Sequence, residues 1–330
     1  MVFVLVIHHI IVINFETAVD TSAHLGWHRT VGVVNAKKIK EDEELLLKNR
    51  IVGGAVAPVN RHPYLAGLLI DIWGLHAPSA CGGSILTSSR ILTAAHCWFD
   101  GRNQAWRFTV VLGSAFLFHG GMRIQTSSIA LHQEYNSRTF ANDVAILRLP
   151  VHVPFSENVR AVNLPFGAFQ TFDYTGFWGI ASGYGRYSDL TMPTTNSMVR
   201  HVIIQVIPLE QCRAKYGDIV LDTNICTCGQ GGVGICQGDS GGPLVVYNAD
   251  GREILIGVSS FVAKAGCELA LPSAFANDEL NNLFFIYRYS ISSTYLLTLL
   301  QRPCRGIYSP FLKKNAEYNT KLPFSGFSNS

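Results

Sequence analysis

Gly234-Ile-Cys-Gln-Gly-Asp-Ser-Gly-Gly-Pro243 crowds Gly238, Gly241, Gly242 and Pro243 around a single serine, Ser240. That composition describes a tight, strained turn whose backbone approaches something closely while a hydroxyl stands clear of its own chain. Serine is a weak nucleophile at its free pKa, so a chain that presents one this way must also supply a base and a group to orient it. Both residue types stand upstream, His96 in Leu92-Thr-Ala-Ala-His-Cys97 and Asp143 in Asn142-Asp-Val-Ala-Ile-Leu-Arg-Leu149. A histidine beside a cysteine ordinarily packs in a core, and an aspartate after an asparagine ordinarily caps a turn. Their conjunction with the serine turn, in the order His96, Asp143, Ser240, points to acyl transfer.

Outward from this turn the chain reads as short strands. They cover Leu65 to Ile72, Gly83 to Leu86, Arg90 to Ala95, Arg107 to Leu112, Arg123 to Leu131 and Asp143 to Leu149, and then Phe177 to Gly183, Met198 to Ile207, Leu244 to Val246 and Ile254 to Phe261. Turn residues interrupt them at regular intervals, which favours antiparallel barrels over a βαβ arrangement. One short mid-domain helix is expected from Leu209 to Tyr216, after Pro208. The reading is an all-β chain of two antiparallel Greek-key β-barrels.

Four motifs, Ile51-Val-Gly-Gly54, Thr93-Ala-Ala-His-Cys97, Asn142-Asp-Val-Ala-Ile-Leu147 and Gly238-Asp-Ser-Gly-Gly-Pro243, resemble those of the chymotrypsin-like serine proteases. The resemblance runs from about Arg50 to Ala276. It implies an active site in the cleft between the barrels, with His96, Asp143 and Ser240 as a catalytic triad and the N–H groups of Gly238 and Ser240 as the oxyanion hole. It further implies cleavage after Arg50 by a trypsin-like protease, so that the new Ile51 ammonium pairs with Asp239. A buried ion pair that forms only after a cut acts as a switch.

The same resemblance suggests disulfides Cys81 with Cys97, Cys212 with Cys226, and Cys236 with Cys267, leaving Cys228 and Cys304. The eight cysteines show no metal-ligand repeat, so a disulfide framework in an oxidising compartment is the better reading, with no metal and no cofactor. For specificity, the family's trypsin-like members carry an aspartate six residues before the serine, and here that position is Gly234. Gly234 deepens the base of the primary pocket, Val262 narrows its entrance and Ser273 lines its far wall. This predicts chymotrypsin-like to elastase-like cleavage after uncharged residues. The run Thr227-Cys-Gly-Gln-Gly-Gly-Val-Gly-Ile-Cys236 resembles the brachyurin-like proteases of arthropods, a group with often digestive roles.

Residues 1–23 read as a secretory signal peptide, with an apolar run from Met1 to Ile13 too short to span a membrane. Residues 24–50 read as an activation prosegment. Its end, Lys37-Lys-Ile-Lys-Glu-Asp-Glu-Glu-Leu-Leu-Leu-Lys-Asn-Arg50, looks like a solvated charged stretch that could form a helix, and without a cysteine the prosegment should leave after cleavage. Residues 51–276 form the protease domain. Beyond Ala276 the family pattern is absent, so 277–330 is expected to be a foreign, partly disordered ending, such as translated intron or a frameshift. A net charge of +3 across 330 residues, of which 15% are charged, gives no sign of nucleic-acid binding. The expectation is a secreted, monomeric endopeptidase that meets protein or peptide substrates, its activating protease and protein protease inhibitors, but no membrane. The competing expectation is a catalytically silent homologue that binds or regulates.

Overall fold

The computed structural model describes residues 26–48, 61–166, 172–186, 198–263, 266–277 and Phe285. Strands β1 (Leu65–Ile72), β2 (Ser79–Thr87), β3 (Arg90–Thr93), β4 (Ala105–Leu112), β5 (Met122–Thr126), β6 (Ile129–Leu131) and β7 (Ala145–Arg148) form one antiparallel sheet, in the order β5-β4-β1-β2-β3-β7-β6. Its two edge strands follow one another in the chain, joined only by Ser127 and Ser128, so the sheet must curl until its ends nearly meet. Arg148 N–H donates to Ser128 O at 2.8 Å and helps to hold the curl.

The second unit is a closed barrel of β8 (Trp178–Gly183), β9 (Arg200–Ile207), β10 (Asn224–Thr227), β11 (Pro243–Tyr247), β12 (Glu253–Phe261) and β13 (Ser273–Asn277), in the order β10-β13-β12-β11-β8-β9. Together they make the two-barrel all-β fold. Leu68, Ile70, Ile85, Phe108 and Ile146 fill the first barrel, and Ile204, Leu244, Ile256 and Phe275 fill the second.

The expected strand Leu65 to Ile72 and the expected helix Leu209 to Tyr216 are found with those bounds. The run Arg123 to Leu131 is instead two strands, because the chain turns through the two serines to change neighbours. The strand expected to reach Ala95 stops at Thr93, where a 3-10 turn, Ala95–Cys97, takes over.

The charged stretch before Arg50 is helical, as its sequence allowed, and departs from expectation in its burial. It is helix α1 (Val33–Lys48), led by a π-helical turn, His28–Gly32. Far from being solvated throughout, it buries one face. Trp27, His28, Val31, Asn35, Ala36, Ile39 and Glu43 are each under 9% exposed. They recur at steps of three and four residues, the spacing that keeps side chains on one side of a helix. Helix α2 (Leu209–Tyr216) lies between β9 and β10.

The three suggested disulfides are present, with Cα–Cα separations of 6.5 Å for Cys81 and Cys97, 6.3 Å for Cys212 and Cys226, and 5.4 Å for Cys236 and Cys267. Cys228 is a free thiol, and Cys304 lies outside the described residues, as do the signal peptide and nearly all of the tail. Asn277 completes β13. Phe285 is buried, its ring 5.2 Å from that of His132. No helix among the described residues is long and apolar enough to cross a membrane.

Candidate active site

The first sheet supplies two of the three candidate catalytic side chains. His96 sits on the 3-10 turn that ends β3, tied to β2 by the Cys81–Cys97 disulfide. Asp143 immediately precedes Val144 and β7, the strand paired with β3, so the ladder itself sets the two residues face to face. They touch at two points. Asp143 Oδ1 accepts the His96 backbone N–H at 2.8 Å, and Oδ2 lies 2.7 Å from His96 Nδ1. Ser260 at the end of β12 adds a third contact, its hydroxyl donating to Oδ2 at 2.6 Å. Both members of the pair are at most 1% exposed. Buried this deeply, a carboxylate needs its lone pairs filled, and three donors fill them.

With Nδ1 engaged by the carboxylate, His96 Nε2 is left as the working nitrogen. It is buried and has no hydrogen-bond partner among the described residues. It borders a narrow cavity shared with Ser240, Ile235, Val262, Phe140 and Trp27.

The Ser240 turn is stitched to both barrels. Ser240 O accepts the N–H of Gly82 in β2 at 2.7 Å, and Gly241 N–H donates to Ser259 O in β12 at 2.7 Å. Glycine is required where the strands come together: a Cβ at Gly241, which has φ +80°, would lie 2.2 Å from Thr93 Oγ1 and 2.5 Å from Gly82 O. The amides of Asp239 and Gly242 close the turn onto Cys236 O and Asp239 O. Gly238 has φ +97°, open only to glycine without strain, and a Cβ there would stand 3.0 Å from the Gly185 Cα.

Asp239 turns away from the cavity. Its carboxylate accepts the N–H groups of Gly185 at 2.8 Å and Cys236 at 2.9 Å. The residue keeps some surface on a second small cavity, beside Gly183, Gly185 and Gly234, but the carboxyl group itself is enclosed. Burial pushes it up to about 6, against the pull of the two amides. Arg50 and Ile51 lie outside the described residues.

Of the three positions assigned to the primary pocket, Val262 borders the His96 cavity. Gly234 and Ser273 face one another beyond it: a Cβ on Gly234 would meet Ser273 Oγ at 2.7 Å, and Ile235 N–H donates to that same oxygen at 3.3 Å.

Three further cavity residues escaped the sequence. Ile235 neighbours a position that was read, and its buried apolar side chain could have been weighed with it. Phe140 packs edge-on to His96, with ring centroids 5.9 Å apart; its place three residues before Asp143 was the available signal. Trp27 comes from the segment ahead of Arg50, its ring edge-on to His96 at 4.9 Å, and no local signal foretold that. The one cluster with metal-like spacing among the described residues, Cys81, His96 and Cys97, has its two sulfurs bonded to each other.

Known proteins resemble this chain in sequence and fold. The family model described as Trypsin matches residues 51–279. A collagenase from Hypoderma lineatum is 34% identical over 232 residues, covering 70% of this chain and 84% of that one. A brachyurin from Leptuca pugilator is 39% identical over 228 residues, covering 68% and 92%. A solved structure of HL collagenase superposes with a TM-score of 0.64 at 32% identity, covering 73% of this chain and all of the other.

Proposed function

The chain belongs to the trypsin family and is a serine-type endopeptidase, and from that premise we propose that it cleaves peptide bonds through His96, Asp143 and Ser240 after activation at Arg50. The observation that carries this reading is the two-point contact between His96 and Asp143, which leaves Nε2 alone to face the Ser240 cavity.

A carboxylate on Nδ1 holds that nitrogen as the N–H form, so Nε2 presents its lone pair to the serine hydroxyl. As Ser240 attacks the scissile carbonyl, Nε2 takes its proton. The imidazolium formed is stabilised by Asp143, and the proton passes on to the leaving amine. Water then repeats the sequence on the acyl-enzyme. This is the mechanism of the family's type case. The N–H groups of Gly238 and Ser240 receive the developing oxyanion, a contribution commonly worth about 10²- to 10³-fold per donor.

Activation rests on Asp239. Among the described residues its carboxylate has amide donors but no cation. An Ile51 ammonium released by cleavage after Arg50 would supply one, and pairing would re-aim the turn that carries Gly238 and Ser240. On this reading the enzyme is a zymogen, and its three disulfides favour an oxidising, extracellular setting.

Specificity follows from the absence of a carboxylate at Gly234. With Ile235 and Val262 as walls and Ser273 Oγ beside Gly234, the pocket takes uncharged side chains, aromatic to small aliphatic. A peptide library digested by the activated enzyme tests this directly. Cuts after Phe, Tyr, Leu or Ala are expected; a profile dominated by Lys or Arg would contradict it.

A further inference from the structure

Residues 26–48 are held against the protease domain by contacts that a passive linker has no reason to make. At the N-terminal end, the backbone N–H of His28 donates to Asp100 Oδ2 at 2.7 Å, and its Nδ1 lies 3.0 Å from Ser79 Oγ. Burial lowers this imidazole to about 4, so it docks uncharged. Trp27 beside it lies on His96.

In the middle, Gly32 lets the helix approach β2 so closely that a Cβ would fall 1.9 Å from Ser79 Oγ. Ala36 and Ile39 join a cluster with Leu65, Leu117 and Tyr184. The Ile39 Cδ1 lies 3.7 Å from the Cβ position of Gly238, whose N–H faces the oxyanion in the reading above.

At the far end, Glu43 is fully buried. Its carboxylate accepts the N–H groups of both Leu117 and Phe118 and meets His119 Nδ1 at 2.9 Å. A buried carboxylate is costly unless a socket is built for it, and two converging amides with an imidazole make one.

These anchors share a property. Ser79, Asp100, Leu117 and His119 all belong to the first sheet and its loops, and the proposed switch at Asp239 lies in the second barrel. Cutting after Arg50 removes the tether and leaves these four anchors in place.

We propose that residues 26–48, once cut free, act as a non-covalent inhibitor of the enzyme they came from: a helical peptide seated by Glu43 in the Leu117–His119 loop, with Trp27 on His96. The proposal rests on the triad and the Arg50 cut described above. It also revises the expectation that the segment simply leaves. Tethered, it is held at an effective concentration of about millimolar, and after cleavage it is held only by its own affinity and departs on dilution.

The test uses the full chain, cut briefly with immobilised trypsin that is then removed, and takes forward only preparations in which mass spectrometry shows the cut after Arg50 with the bonds after Arg29, Lys37, Lys38, Lys40 and Lys48 intact. Amidase activity and fluorophosphonate labelling rate are measured per mole of enzyme from micromolar to nanomolar concentration, and the bound prosegment is followed by gel filtration and mass spectrometry. The wild type should gain at least about tenfold in specific activity on dilution, with the segment co-eluting at the concentrated end. Trp27→Ala and Glu43→Gln chains should be fully active at once, reach the same limiting activity, and elute without the segment. A wild type that is active but shows constant specific activity, or variants that behave as the wild type does, overturns the inhibitor and leaves the triad standing. No labelling at any dilution in any variant overturns the triad reading and the inhibitor with it.

Discussion

The two halves of the candidate site differ in how finished they are. The His96–Asp143 half belongs to the first sheet, is almost wholly buried, and has its Asp143 contacts made at 2.8 and 2.7 Å to His96 and at 2.6 Å to Ser260 of the second barrel. The Ser240 half, in the second barrel, contains a buried carboxyl without a cation among the described residues, and the adjoining Nε2 has no hydrogen-bond partner there. Where a site is built from one complete and one waiting part, a single event can control it by acting on the waiting part alone. In the proposed account that event is the arrival of the Ile51 ammonium at Asp239.

The comparison breaks most sharply at Ser240. Ser240→Ala in the cleaved enzyme should lose roughly 10⁶-fold in kcat, the scale at which triad members fail, with an unchanged melting temperature. Retained amidase activity would mean that the waiting half is not the reacting half.

Asp239→Asn should come next, removing about 10²-fold or more of the activity gained on cleavage by preventing the oxyanion N–H groups from being aimed. The same variant carries a pH signature in the uncut chain. A carboxyl raised to about 6 in the folded state contributes stability that is present below the unfolded value near 3.9, and that is lost as pH rises through about 6. The stability of the wild type relative to Asp239→Asn should therefore fall by about 1.4 kcal/mol between pH 5 and 7.5. Paired denaturant titrations at the two pH values measure it, and a flat difference would place the carboxyl in water.

Gly241→Ala tests the seam between the halves. With φ +80° and a Cβ only 2.2 Å from Thr93 Oγ1, it should cost about 2 to 4 kcal/mol of stability by thermal or denaturant unfolding. The smallest effect belongs to the finished half. Ser260→Ala removes one of three donors to Asp143, and about 1.5 kcal/mol, or roughly tenfold in kcat with KM little changed, is expected.

The proposed triad positions stood out because a reacting serine, its base and its orienting acid need fixed residue types on turns that tolerate little else. The strand Leu65–Ile72 and helix Leu209–Tyr216 were legible as well, each bounded by turn residues or a proline. Asn224–Thr227 was not read as a strand: all four residues are buried, two of them polar, so neither alternation nor an apolar run marks it. The docking of residues 26–48 was hidden for a related reason. Its buried face mixes Trp27, Ala36 and Ile39 with His28 and Glu43, and polar residues that find partners across the fold look solvated in one dimension. The pocket was legible only in part, since Trp27 and Phe140 reach it from distant stretches of chain.

The most direct test of the central claim is to label the chain with a fluorophosphonate before and after trypsin cleavage, reading the new N-terminus and the adduct by mass spectrometry. The account predicts slow or absent labelling of the uncut chain and, once the N-terminus is Ile51, a single adduct on Ser240 at high dilution. A clean Ile51 terminus without an adduct, or equal labelling before and after the cut, would contradict it.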